Sequence, residues 1–276
     1  MLNVLIIVWR ESLEAMLVIG VLLSWIARQP EPSGLRRGIW SGGGAGIALA
    51  VGLGYATFAV QSQFGAEALE RFQLAMVLVA SGLILQMVLW MHRHGRHMKR
   101  ELEQRADAST GTLGIAAITA LAVAREGAET VVFLYGLGLE SDGGALTRLL
   151  GGALVGFVLA GATSWAVARG ARYLNYRTLF RVSGIFLLLI ANALLANGID
   201  RVIALDWLPT LLDPAWDTSV LLGDGQGFGR FLADFVGYRA RPAGVLVLAT
   251  LAFWAYALWR LRPESSSSKG PGLDHG

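Results

Sequence analysis

Seven stretches of this chain run for about twenty residues as nearly unbroken apolar sequence, and that patterning leaves little choice of fold. In hydrocarbon no water is present to satisfy backbone N–H and C=O groups, so an apolar segment of this length has to close its hydrogen bonds internally, as a helix. The stretches are residues 3–27, 38–60, 72–91, 112–138, 146–168, 179–198 and 243–260. Of the 276 residues 54% are hydrophobic and 16% charged, where a soluble domain carries about 25% charged residues. An ordinary cytosolic enzyme and a nucleic-acid-binding domain are both excluded, since the formal charge of +3 sits in short loops between apolar runs. With no cysteine there is no disulfide, thiolate metal site or iron–sulfur cluster. The first stretch is not a signal peptide: no basic residue precedes it, and Arg10, Glu11 and Glu14 lie inside it.

The expectation is therefore an all-α polytopic membrane protein of seven transmembrane helices. Lys and Arg number 15 in the loops on one side and 6 in those on the other. The excess marks the cytoplasmic face and places the N-terminus outside and the C-terminus inside. One transmembrane domain fills residues 1–262, with a flexible, Ser-rich cytoplasmic tail at 263–276. The longest loop, 199–242, lies outside and holds six aspartates; within it Phe228, Phe231, Leu232 and Phe235 recur at helical spacing, as in an interfacial helix or a lid.

A repeat is visible. Arg10-Glu11-Ser12-Leu13-Glu14 in the first span matches Arg125-Glu126-Gly127-Ala128-Glu129 in the fourth. The second and fifth spans are Gly-rich, and the third and sixth carry Ser81-Gly82 and Ser183-Gly184. Repeat one covers about 1–91 and repeat two about 112–198, leaving the seventh helix, 243–260, outside. Three spans is an odd number, so the copies are inverted, an arrangement that places binding sites near the midplane between them.

Charges in hydrocarbon cost on the order of 3 kcal/mol each, so six of them are not there to face lipid. At about 100° per residue, Arg10, Glu11 and Glu14 fall within one arc, as do Arg125, Glu126 and Glu129. Each Arg can pair with the Glu four residues on. One Arg and two Glu per motif leave −1, and two motifs −2, which calls for protons or a bound cation. Four carboxylates without Cys or His form an all-oxygen ligand set of the kind hard cations prefer; ferric iron fits, and ferrous iron, manganese and calcium are compatible.

With these residues in view, the chain resembles the oxidase-dependent iron permeases, a family with fungal high-affinity and bacterial EfeU-like members and others assigned to lead uptake. The motifs that carry the resemblance are Trp9-Arg10-Glu11-Ser12-Leu13-Glu14-Ala15 and Ala124-Arg125-Glu126-Gly127-Ala128-Glu129. Weaker matches are Glu67-Ala68-Leu69-Glu70, Ala215-Trp216-Asp217-Thr218-Ser219 and Gly237-Tyr238-Arg239-Ala240-Arg241-Pro242. The resemblance implies iron import across a bacterial inner membrane, the iron arriving as ferric ion formed outside by a separate ferroxidase or iron-binding partner. It implies Glu11, Glu14, Glu126 and Glu129 as translocation ligands, with Arg10 and Arg125 as tuning cations. Glu67 and Glu70 would form a receiving site at the outer mouth. Arg239 and Arg241 depart from the pattern by adding positive charge to the loop where a partner would dock. Iron is cargo here, and no resident cofactor is expected.

Other polar residues have blander roles. His92, His94 and His97 lie among Arg93, Arg96, Lys99 and Arg100, which repel cations, and read as part of a positive-inside anchor rather than an exit relay. Gln86, Asn192 and Asn197 suit interhelical hydrogen bonds or a path lining. The competing functions are a permease for lead or manganese, a non-transporting metal sensor and a membrane enzyme. The last lacks a histidine within the spans, and no Gly-rich phosphate loop ending in Gly-Lys-Ser/Thr is present.

Overall fold

A computed structural model describes residues 2–95, 98–109, 111–137, 143–170 and 176–262. His97 and the tail at 263–276 lie outside the described residues, as do the side chains of His94, Lys99 and Arg148. Among the described residues there are nine helices and no strand: α1 (Leu2–Ile26), α2 (Pro32–Gln61), α3 (Ala66–His94), α4 (Met98–Asp107), α5 (Gly111–Gly136), α6 (Gly143–Ala168), α7 (Tyr176–Ala204), α8 (Gly227–Val236) and α9 (Gly244–Leu261).

Each of the seven apolar stretches falls on a long helix. Five of these, α2, α3, α6, α7 and α9, are long and apolar enough throughout to cross a membrane. The other two, α1 and α5, are the ones that carry the charged motifs. The exposed faces of α2, α6 and α9 suit a lipid setting: α2 shows Leu49, Val51, Tyr55 and Phe58 on its exterior, α6 shows Leu154, Phe157 and Val158, and α9 shows Leu248 and Leu251. Apolar faces of this extent are not tolerated in water.

Two helix pairs build the frame. On α2, Gly38, Gly42 and Gly46 face α5 so closely that a methyl group at Gly38 would stand 2.6 Å from the carbonyl oxygen of Thr112, one at Gly42 would overlap that of Ala116, and one at Gly46 would stand 2.8 Å from that of Ala120. This is how small residues let membrane helices pack backbone to backbone. Gly156 of α6 sits in the same way on α1, where a Cβ would lie 2.6 Å from the Leu5 carbonyl oxygen, and Trp9 Nε1 donates to Thr163 Oγ1 at 3.2 Å. The partners of α1 and α5 are thus exchanged: the first helix of one motif-bearing half takes the second helix of the other. Across the middle, α3 meets α7, with Ser81 Oγ donating to the Ala191 carbonyl at 2.8 Å. The main core lies between α1, α3, α5 and α7, around Ile7, Ile84, Phe133, Leu187 and Ile190.

Three boundaries differ from the sequence reading by six residues, the first being the start of α2 at Pro32 rather than 38. α3 begins at Ala66 and α7 runs on to Ala204, so the long loop starts at Leu205 rather than 199. The basic connection after the third span contains a helix of its own, α4. Its Leu102 and Ala106 are buried with Val18, Leu22, Trp25, Ile39 and Ile115, and its acidic side chains take Trp25 Nε1 on Asp107 at 2.7 Å and Arg28 on Glu103. At the opposite end α8 covers the bundle instead of lying beside it. Phe235 is buried in the main core, Asn192 Nδ2 donates to the Val236 carbonyl at 2.7 Å, and Asn3 donates to the Asp234 carbonyl at 2.7 Å.

A candidate cation site between two charged helices

The level of the two motifs follows from helix arithmetic. Glu11 lies fifteen residues before the end of α1 and Glu126 fifteen after the start of α5. The helices are antiparallel, so both acids stand about 22 Å from the end of the bundle occupied by α4. The structure brings Glu11, Glu126 and Glu129 together, with carboxylate oxygens from all three within 4.8 Å of one another. Glu11 and Glu126 are buried, and the Oε2 atoms of both have no hydrogen-bond partner. Buried polar atoms are ordinarily paired. Buried carboxylate oxygens without a hydrogen-bond partner, on acids brought together from facing helices, are what a cation site with oxygen ligands presents.

Glu14 is placed differently. It is buried and tied to Arg10 Nη2 at 2.5 Å, one helical turn back, and it is not part of the three-acid cluster. Of the four acids named from sequence, three converge and the fourth holds a guanidinium.

The two arginines are far from equivalent. Arg10 is 1% exposed. It bonds Glu11 at 3.0 Å through Nη1 and Glu14 through Nη2, and its nitrogens lie 2.9 Å from Met87 Sδ and 3.8 Å from Met91 Sδ. The Arg125 side chain is 52% exposed and bonds Glu129 at 2.9 Å, with its guanidinium 5.5 Å over the Trp90 ring. Met87, Trp90 and Met91 were not singled out as site residues by the sequence. Their i, i+3, i+4 spacing on one face of α3 was the available signal.

The remaining sequence-named positions stand apart. Glu67 and Glu70 are exposed at the start of α3, and Glu67 is bonded to Arg71 at 2.6 Å. Gln86 is on the exposed face of α3 and His92 is exposed. Asn197 accepts from Arg239 Nη2 at 2.6 Å.

In the long loop, the two stretches singled out by resemblance prove to be partners. The Ala215 N–H donates to the Pro242 carbonyl at 2.8 Å and Thr218 N–H to Ala240 at 2.9 Å. Thr218 Oγ1 and Tyr238 OH lie 2.6 Å apart. The extra positive charge is compensated locally: Arg239 bonds Asp200 at 2.6 Å and Arg241 bonds Asp217 at 2.6 Å. Arg241, with the Ser219 hydroxyl and N–H, holds the Asp217 carboxyl well below the ordinary aspartate range.

Residues 1–261 match the model of the Iron permease FTR1 family. The chain belongs to that family. It is 28% identical over 255 residues to the ferrous iron permease EfeU of Escherichia coli O6:H1, covering 90% of this chain and 89% of that protein. It is 26% identical over 269 residues to the ferrous iron permease EfeU of Yersinia pestis, covering 95% and 94%. A protein of Escherichia coli K12 named a putative inactive ferrous iron permease EfeU is 27% identical over 259 residues. No solved structure matches. Family membership together with the long apolar helices makes this a multi-pass integral membrane protein of a transporter family.

Proposed function

We propose that the protein imports iron across a bacterial inner membrane, and that the ion is held on its way by Glu11, Glu126 and Glu129. The observation that carries this reading is the convergence of three carboxylates from two antiparallel helices, two of them with an unpartnered buried oxygen. Its context is an iron permease family and relatives named ferrous iron permeases. Seven of the helices span the membrane in this reading, with α8 outside and α4 at the cytoplasm. The exchange of partners between α1/α6 and α5/α2 supports two inverted repeats, at about 1–91 and 112–198, within one permease domain of residues 1–262.

The iron travels as ferric ion, formed outside by a separate ferroxidase, since a hard ion suits an all-oxygen site. A second reading, ferrous transport, is favoured by two observations: the printed names of the relatives, and a motif charge of −2 that a divalent ion neutralises. Glu14 holds Arg10 beside the cluster and so fixes the charge that stands next to the ion. Glu67 and Glu70 gather cations at the outer mouth through their field rather than as a closed site, because Glu67 is already paired.

The test is radiolabelled iron uptake into proteoliposomes, with ferrous and ferric iron offered separately and lead and manganese as competitors. Uptake by wild type that is lost in Glu11→Gln and Glu126→Gln supports the reading. Normal uptake by both variants overturns the site, and preferential uptake of lead or manganese overturns the substrate.

A further inference from the structure

Both motif arginines end on one stretch of α3, and they end on it in different ways. Arg10 is enclosed by two carboxylates and the sulfur atoms of Met87 and Met91. Arg125 has one carboxylate, Glu129, and lies with half its side chain exposed over the face of Trp90. Counting from Ser81-Gly82 and Ser183-Gly184, Leu189, Asn192 and Ala193 of α7 occupy the positions that correspond to Met87, Trp90 and Met91 of α3. That copy has no arginine seat, and its Asn192 is bonded to the end of α8 instead. The seat is therefore a feature of one half of the molecule.

The spacing of α3 and α5 explains why Arg125 needs one. Toward the α8 end the helices touch: a Cβ on Gly136 would stand 2.5 Å from that of Ala80 and 3.3 Å from the Met76 carbonyl oxygen. At the level of Arg125 the two helices meet through long side chains instead, the guanidinium lying 5.5 Å over the Trp90 ring. A guanidinium is drawn to the negative face of an aromatic ring, most strongly to indole. It is drawn equally to unpaired carboxylates, and Glu126, its neighbour in sequence, offers one.

We propose that Trp90 is a positioning residue for cation binding: it seats Arg125 beside the three-carboxylate cluster and so keeps that positive charge from occupying the cluster itself. This inference rests on the transport reading for its purpose, because an arginine that leaves its seat for the carboxylates displaces the bound cation, and the seat lies on the side of the cluster facing α4. Arg10, enclosed on all sides, has no comparable freedom.

The experiment is a double-mutant cycle on purified full-length protein, with anaerobic ferrous iron as the probe and equilibrium binding as the readout. Trp90→Leu weakens binding about fivefold, the scale of a half-exposed cation–aromatic contact. Trp90→Phe, which keeps a ring face, stays within about threefold of wild type. In the Arg125→Gln background Trp90→Leu has no further effect, because no charge remains to intrude. Equal losses in both backgrounds show Trp90 to be a packing residue and overturn the proposal, as does unchanged binding in Trp90→Leu. Proteoliposome flux of the wild type separates the two readings. Absent flux with an intact cycle removes the import reading and leaves the seat standing; normal flux with a failed cycle does the reverse.

Discussion

Arg10 and Arg125 occupy the same place in two copies of one motif, yet one is sealed among two carboxylates and two thioethers while the other lies half exposed on an indole. The motif is repeated; its environment is not.

Loss of the buried guanidinium is expected to be structural. Arg10→Ala leaves Glu11 and Glu14 without their common partner, and breaking a buried ion pair costs about 3–5 kcal/mol. Arg125→Ala removes an exposed pair and costs about 1 kcal/mol or less. Thermal unfolding of the two variants in the same detergent checks the difference, and equal shifts would contradict the asymmetry.

The acids are expected to separate by role. Glu126→Gln takes a ligand from the cluster and lowers iron affinity by about tenfold or more. Glu14→Gln leaves the three-acid cluster intact and lowers affinity less, while loosening Arg10 and reducing thermal stability. Paired binding and unfolding measurements on the two variants distinguish a ligand from a clamp.

On α2, Gly42→Ala sets a methyl group against the Ala116 carbonyl and forces α2 away from α5, at a cost of about 1–3 kcal/mol. Gly52→Ala meets nothing within 4 Å and is neutral or slightly stabilising, since alanine is the better helix former. Thermal unfolding midpoints of the two single variants test this; a stable Gly42→Ala would refute the close approach.

The long loop after α7 is expected to be insensitive to mild acid. Arg241 and Ser219 depress the Asp217 carboxyl, so its bonds contribute fully above the ordinary aspartate value of about 3.9. They are withdrawn only as pH falls through the lower value of the folded state. In Arg241→Gln that value rises and the loss begins at higher pH. Hydrogen exchange at the Thr218 amide, which is bonded to Ala240, reports the change.

The long helices and the level of the two motifs were legible because both rest on one-dimensional rules: about twenty apolar residues per crossing and 1.5 Å per residue. Pairing of Arg125 with Glu129 followed from the four-residue spacing. The same spacing gave the pairing of Arg10 with Glu14, but not that Glu14 stands outside the three-acid group while Glu129, in the matching position, stands within it, since that depends on how the facing helices set the side chains. Helix α4 was hidden by its own charges. Met98–Asp107 reads as a basic loop until Leu102 and Ala106, four residues apart, are seen to share a face. The charge of Arg239 and Arg241 was likewise misleading in isolation, since its compensation by Asp200 and Asp217 spans 39 and 24 residues.

The glycine seam between α2 and α5 has a consequence for how the second motif can move. Helices that meet main chain to main chain have no side chains between them to absorb a shift, so a tilt of one is handed to the other undiminished. Much of the outward surface of α2 is exposed and apolar, the kind of face a bilayer covers. A bilayer that grips α2 there would carry Glu126 and Glu129 with it, so that its thickness would bear on where they stand.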